Sequence, residues 1–209
     1  MVLKTENTKG RVKLKNQIAG ESDNWNRSIE TATFGAGCFW CVEAIFQQLK
    51  GVLMVIPGYA GGILKNPSYL KICEGKTGHA EVCQILFDPK IITYDELLEV
   101  FWLIHDPTSL NKQGNDIGSQ YRSVIYYHSE KQKHFAEEFK QMIESSGSYL
   151  RPIITEITSF DEFYKAEEYH MNYYHSHEKA PYCSVEIGPK ISKFRIVFKD
   201  KLKVSGFLD

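Results

Sequence analysis

Cys38 and Cys41 are separated by two residues and lie where a glycine run gives way to a helical pattern. Gly35-Ala36-Gly37 ends a β-prone stretch, and Val42, Ile45, Phe46 and Leu49 then recur at helical spacing, which predicts a helix over 38–50. A thiol at the start of a helix faces free N–H groups and the positive end of the helix dipole. Cys38 is therefore expected to ionise below the ordinary thiol value of about 8.5. Cys41, one turn later on the same face, brings its sulfur within reach of a disulfide. The pair reads as a nucleophile and a redox partner. The same spacing also makes half of a zinc site, which would need two more ligands. Cys73, Cys83, Cys183, His170, His175 and His177 are the candidates, but none forms a second knuckle, and Phe39-Trp40 is bulky filling for a metal turn. No metal is expected.

A carboxyl group is the second chemical element. Residues 80–87 alternate as a strand that puts Glu81, Cys83, Ile85 and Phe87 on one face. If that face is buried, Glu81 is desolvated, its pKa rises, and it becomes a proton donor near neutral pH. If Glu81 instead points outward from the strand end, it is an ordinary surface charge, and alternation alone does not choose. Tyr69, Asp116 and Tyr121 are individually bland: an Asp between Gly114 and Gly118 reads first as a turn residue, and Phe39 and Trp40 read first as core.

These residues must be held by a fold. Strands are predicted over 31–36, 52–59, 80–87, 122–127 and 153–157. Helices are predicted over 38–50, 94–104 and 130–145, with a short turn capped by Asn66-Pro67-Ser68 and a last amphipathic piece over 191–198. The segment 160–175 starts helical, and the remainder reads as aromatic-rich coil carrying Cys183. Residues 105–120, rich in Asp, Pro, Asn and Gly, form a long loop of the kind that carries function. The expected fold is α+β: a two-layer sandwich of a mostly antiparallel sheet with helices on one side and an irregular C-terminal extension. Residues 1–30 read as a flexible polar leader with at most a helical piece at 24–29, and residues 31–209 as one catalytic domain.

With 209 residues and 43% hydrophobic content the chain can bury a real core. Its 25 basic against 26 acidic residues leave a formal charge of -1, so nucleic acid and anionic membranes are not expected partners. Five cysteines, an odd number without framework spacing, and a start with no long apolar run predict a reduced, cytoplasmic protein.

Gly37-Cys38-Phe39-Trp40-Cys41-Val42-Glu43 resembles the active-site signature of the peptide methionine sulfoxide reductase A family. Gly58-Tyr59-Ala60-Gly61-Gly62, Thr77-Gly78-His79-Ala80-Glu81-Val82, His105-Asp106-Pro107-Thr108, Gln113-Gly114-Asn115-Asp116 and Gln120-Tyr121-Arg122-Ser123 match that family in order. The resemblance runs from about Thr31 to past Pro189. It implies a ferredoxin-like sandwich that reduces the S epimer of methionine sulfoxide, free or in oxidised proteins, and a monomer is expected. It implies Cys38 as nucleophile and Glu81 as acid. Tyr69, Asp116 and Tyr121 would hold the sulfoxide oxygen or the water that replaces it, with Phe39, Trp40 and Tyr182 around the substrate. No cofactor is implied beyond an external dithiol, thioredoxin. The resolving thiol stays open: Cys41 by its spacing, or Cys183 by its likeness to the family's mobile C-terminal position. A thioredoxin-like disulfide exchanger shares the two-residue spacer but would leave Glu81 and the Gly-Asn-Asp loop without a role.

Overall fold

A computed structural model describes residues 28–203. Most of the expected leader, and most of the helical piece at 24–29, lie outside those residues. Glu30 already opens strand β1 (Glu30–Ala36). Along the chain follow α1 (Phe39–Phe46), β2 (Val52–Ala60), α2 (Tyr69–Cys73), β3 (Ala80–Phe87) and α3 (Tyr94–Leu103). A small hairpin of β4 (Lys112–Gln113) and β5 (Asp116–Ile117) comes next, then β6 (Ser123–Tyr127), α4 (Glu130–Ser145), β7 (Glu156–Ser159) and β8 (Phe163–Lys165). The C-terminal part holds α5 (Tyr173–Ser176), a π-helical turn over Cys183–Ile187, and α6 (Gly188–Val197).

The main sheet has the order β7-β6-β1-β3-β2-β8. Neighbouring strands run antiparallel except β6 and β7, which are parallel. The fold is mixed α+β. One face of the sheet, including Phe34, Cys83 and Ile85, packs against α1 and α3 in the principal core. Phe34 lies between Phe46, Tyr94 and Phe101 at ring distances of 5.9, 5.9 and 5.0 Å, and truncating so enclosed a ring costs about 3–5 kcal/mol. The opposite face carries Ala60, Ala80, Val82, Val124 and Tyr126 under Phe160 and Phe163. Strand β3 is thus covered on both faces, and only Gln84 in it is not fully buried.

Helix starts follow their caps. Thr93 and Glu96 close a capping box on α3, and the Ser129 hydroxyl accepts the Gln132 N–H on α4. Four expectations change. The first helix ends at Phe46 rather than 50, because tight turns take over at Gln48 and Leu49 and the incoming C-terminal chain pairs there, with Lys50 N–H donating to Lys201 C=O. The strand expected over 153–157 starts at Glu156, since the Ile154 N–H is spent on Pro107 C=O and the ladder with β6 begins only at Val124 opposite Glu156. The segment from Phe160 is not helical at its start. It forms β8, whose Phe163 and Tyr164 complete the open edge of β2, an environment that favours aromatics on a pleated surface. The chain around Cys183 is no coil: it forms the π-helical turn and continues into α6.

Candidate active site

The site forms where β1, β3 and α1 converge. Gly37 turns the chain with φ +87, and Cys38 follows as the N-cap of α1, with its carbonyl accepting N–H bonds from Cys41 and Val42. Its side chain caps nothing. The first free N–H of the helix, on Phe39, instead donates to Glu81 Oε2 at 3.1 Å. The helix end therefore serves the carboxyl and not the thiol, which reverses the expected electrostatics. Burial first, and the neighbouring Cys41 thiol next, push the Cys38 pKa well up, so the resting thiol keeps its proton.

Glu81 is 2% exposed. Its strand register pairs it with Tyr59 of β2 and aims it into the helix-covered face rather than toward water. Burial first, and the neighbouring Cys38 second, hold its carboxyl well above the ordinary carboxylate value. The alternative of a surface charge at the strand end is excluded.

One cavity of about 210 Å³ is lined by Cys38, Phe39, Trp40, Tyr69, Glu81, Asp116, Tyr121 and Tyr182. It is smaller than the sites that enclose drug-sized ligands and suits a short side chain. Cys38, though only 6% exposed, opens on it. Tyr69 comes from the first turn of α2, Asp116 from the small hairpin, Tyr121 from a 3-10 turn, and Tyr182 from the residue before the π-helical turn. The Tyr182 hydroxyl donates to Asp116 Oδ2 at 2.7 Å and lies beside the Cys38 thiol. Burial raises the Tyr69, Tyr121 and Tyr182 phenols, with Glu81 next in order for Tyr69 and Tyr121 and Cys38 for Tyr182, so all three keep their hydroxyl protons. The indole of Trp40 stacks on Tyr173 at 3.7 Å and meets the edge of Tyr182 at 5.7 Å.

The comparisons with known proteins fall on this same frame. The family described as peptide methionine sulfoxide reductase matches residues 30–202. The chain belongs to the peptide methionine sulfoxide reductase family. It is 53% identical over 176 residues to the peptide methionine sulfoxide reductase MsrA of Sulfolobus acidocaldarius, covering 84% of this chain and 99% of that protein. Its structure is similar to that of Mxr1 from Saccharomyces cerevisiae in reduced form, with a TM-score of 0.70 and 32% identity, covering 78% of this chain and 92% of the other. Mxr1 in complex with Trx2 matches with a TM-score of 0.51 and 25% identity, over 74% of this chain and 90% of that one. The protein is an oxidoreductase that uses thiols to reduce methionine sulfoxide.

In this reductase all eight residues expected around the substrate line the one cavity, although they come from six parts of the chain. Both candidate resolving thiols are near. The Cys41 thiol lies beside that of Cys38, and Cys183, fully buried, lies within electrostatic reach of it. None of the five cysteines is in a disulfide. Among the described residues no three His, Cys, Asp or Glu side chains gather to hold a metal ion. No helix among them is long and apolar enough to cross a membrane.

Residue types alone did not single out the shell behind the cavity. His170 accepts the Trp40 Nε1–H at 3.1 Å on Nδ1, and Glu167 accepts both the Tyr69 N–H at 2.8 Å and the Tyr59 hydroxyl at 2.9 Å. Glu43, on α1, is buried and pushed up to about 7 by desolvation. The run from Ala166 to His175 is dense in Glu, Tyr and His, and that density was the available signal.

Proposed function

We propose that Cys38 performs the reduction and that Glu81 supplies the proton. The methyl end of the side chain lies against Phe39, Trp40 and Tyr182, and its oxygen faces Glu81, Tyr69, Tyr121 and Asp116. The Cys38 sulfur attacks the sulfoxide sulfur while Glu81 protonates the departing oxygen, so charge on that oxygen is neutralised as it develops. The S–O bond breaks, the hydroxyl so released adds to the Cys38 sulfur, and the newly formed bond between the two sulfurs breaks with its electron pair going to methionine, so oxygen ends on Cys38. Thiol and sulfoxide become a sulfenic acid and methionine, with two electrons taken from the thiol sulfur and the thiol proton returning to Glu81. A raised thiol pKa is compatible with this order. The thiol ionises when the positive sulfur of the bound sulfoxide lies beside it, which limits idle oxidation of the resting enzyme.

A second thiol, Cys41 or Cys183, then condenses with the sulfenic acid, releasing water and forming a disulfide that a dithiol reduces. Thioredoxin is the reductant we assign, supported by the likeness to Mxr1, which has been solved with Trx2. Every electron comes from cysteine, so the balanced cycle calls for no resident cofactor. The same reading takes the β6-β1-β3-β2 core, with α1 and α3 on one face, as ferredoxin-like, and the protein as a cytoplasmic monomer specific for the S epimer.

The observation that carries the proposal is that a thiol, a buried carboxyl with a raised pKa and an aromatic wall line one common cavity. The test is a stereochemically defined assay without reductant. Wild type is expected to release about one methionine per chain from the S sulfoxide and none from the R, and Cys38→Ser to release none. Methionine formation by Cys38→Ser would overturn it.

A further inference from the structure

Glu43 lies three residues beyond Trp40 on α1, and its side chain is as buried as the core around it. Oε1 accepts the backbone N–H of Asn172 at 2.9 Å. Oε2 is buried without a hydrogen-bond partner. A carboxyl oxygen left so is costly, and an apolar side chain there would avoid the cost. What it would lose is a hold on the chain at Asn172, a left-handed residue with φ 52 whose side chain is also tied to Gln47, the residue that caps the end of α1.

The residues around that point close on Trp40. His170 takes the indole N–H, and the Tyr173 ring stacks on the indole at an interplanar angle of 9°. One helix thus carries both the aromatic wall of the cavity and the carboxyl that fastens the segment gripping that wall. We propose that Glu43 is a positioning residue for substrate recognition: by holding residues 170–173 it fixes the Trp40 indole against the methyl end of methionine sulfoxide. The inference rests on the reading of Trp40 as a substrate wall.

The test is steady-state kinetics on the full chain with a methionine sulfoxide peptide and dithiothreitol as reductant. Loss of a wall that binds substrate and transition state alike raises KM and spares kcat, so Glu43→Leu is expected to raise KM about tenfold with kcat within about twofold. Glu43→Gln keeps a carbonyl acceptor for the Asn172 N–H and is expected to return KM to within about threefold of wild type. Added to Trp40→Ala, which itself raises KM, Glu43→Leu is expected to have no further effect, since it acts through that indole. An unaltered KM in Glu43→Leu, equal losses in the Leu and Gln variants, or additivity with Trp40→Ala overturns the inference. If Glu43→Leu does not fold, His170→Leu against His170→Gln reads the same link: a raised KM restored by Gln supports it, and no change in KM overturns it. An unaffected KM in Trp40→Ala sinks the pocket reading and this inference together. A raised KM there beside an unaltered Glu43→Leu sinks only the inference.

Discussion

Glu81 owes its chemistry to two opposing influences. Desolvation favours the neutral acid, while the Phe39 N–H donated to Oε2 favours the anion, and burial wins. The carboxyl therefore holds its proton to higher pH than an ordinary carboxylate and loses it as pH rises through its raised pKa. Replacing the donor with an amide, Glu81→Gln, is expected to slow sulfenic acid formation by about 10²–10⁴-fold in single-turnover experiments. Because the wild-type carboxyl ionises as pH rises through its raised pKa, the ratio of wild type to Glu81→Gln is expected to narrow with rising pH. A ratio that is flat across that range, or near unity throughout, would remove Glu81 as the acid. Cys38 shows the converse balance. A helix N-terminus stabilises an anion only if its N–H groups reach it, and here the Phe39 N–H is taken by Glu81 while burial and then Cys41 push the Cys38 thiol up.

At the level of elements, the active geometry is a matter of how α1 begins. Gly37 occupies left-handed backbone, and a Cβ there would come within 2.6 Å of Gln113 Cγ. That Gln113 is no bystander: its amide accepts the Asp106 N–H at 2.9 Å and donates to the Asp106 C=O at 2.8 Å, pinning the hairpin that presents Asp116. Gly37→Ala is therefore expected to cost about 1–3 kcal/mol in stability through the strained φ and the displaced side chain. It should also slow the first turnover, since Cys38 and Asp116 move apart from their common cavity. Thermal unfolding together with single-turnover rates checks this, and an unchanged melting point with unchanged rate would contradict it.

Across the whole molecule, the C-terminal chain acts as a strap. It pairs Leu202 with Leu49, holds Asp116 through Tyr182, and bonds Asn115 through Glu186 in the π-helical turn that begins at Cys183. Cys41 sits beside Cys38 at the start of the same helix, whereas Cys183 is buried in the π-helical turn of a separate segment. The first disulfide after one turnover is accordingly expected to join Cys38 to Cys41, with any link to Cys183 appearing later by thiol exchange. Peptide mapping of samples quenched in time reads the order, and a Cys38 to Cys183 link arriving first would reverse it. Cys183→Ser should keep the release of about one methionine per chain in the absence of reductant.

Local pattern determined much of this protein. The cysteine pair at a glycine-to-helix junction, the alternation that aligns Glu81 with Cys83, and the periods of α3 and α4 are short-range properties, and the structure has them where the residues placed them. Tertiary structure decided the rest, because it depends on partners distant in sequence. Whether Glu81 met water or core was settled by its register against β2, and the protonated state of Cys38 by what surrounds it. The β-strand at Phe163 required an open sheet edge, and the hold of Glu43, His170 and Tyr173 on Trp40 required a chain segment about 130 residues away to return to α1. Periodicity reports which face a residue shares with its neighbours. Burial, and with it charge state, is conferred by whatever packs against that face.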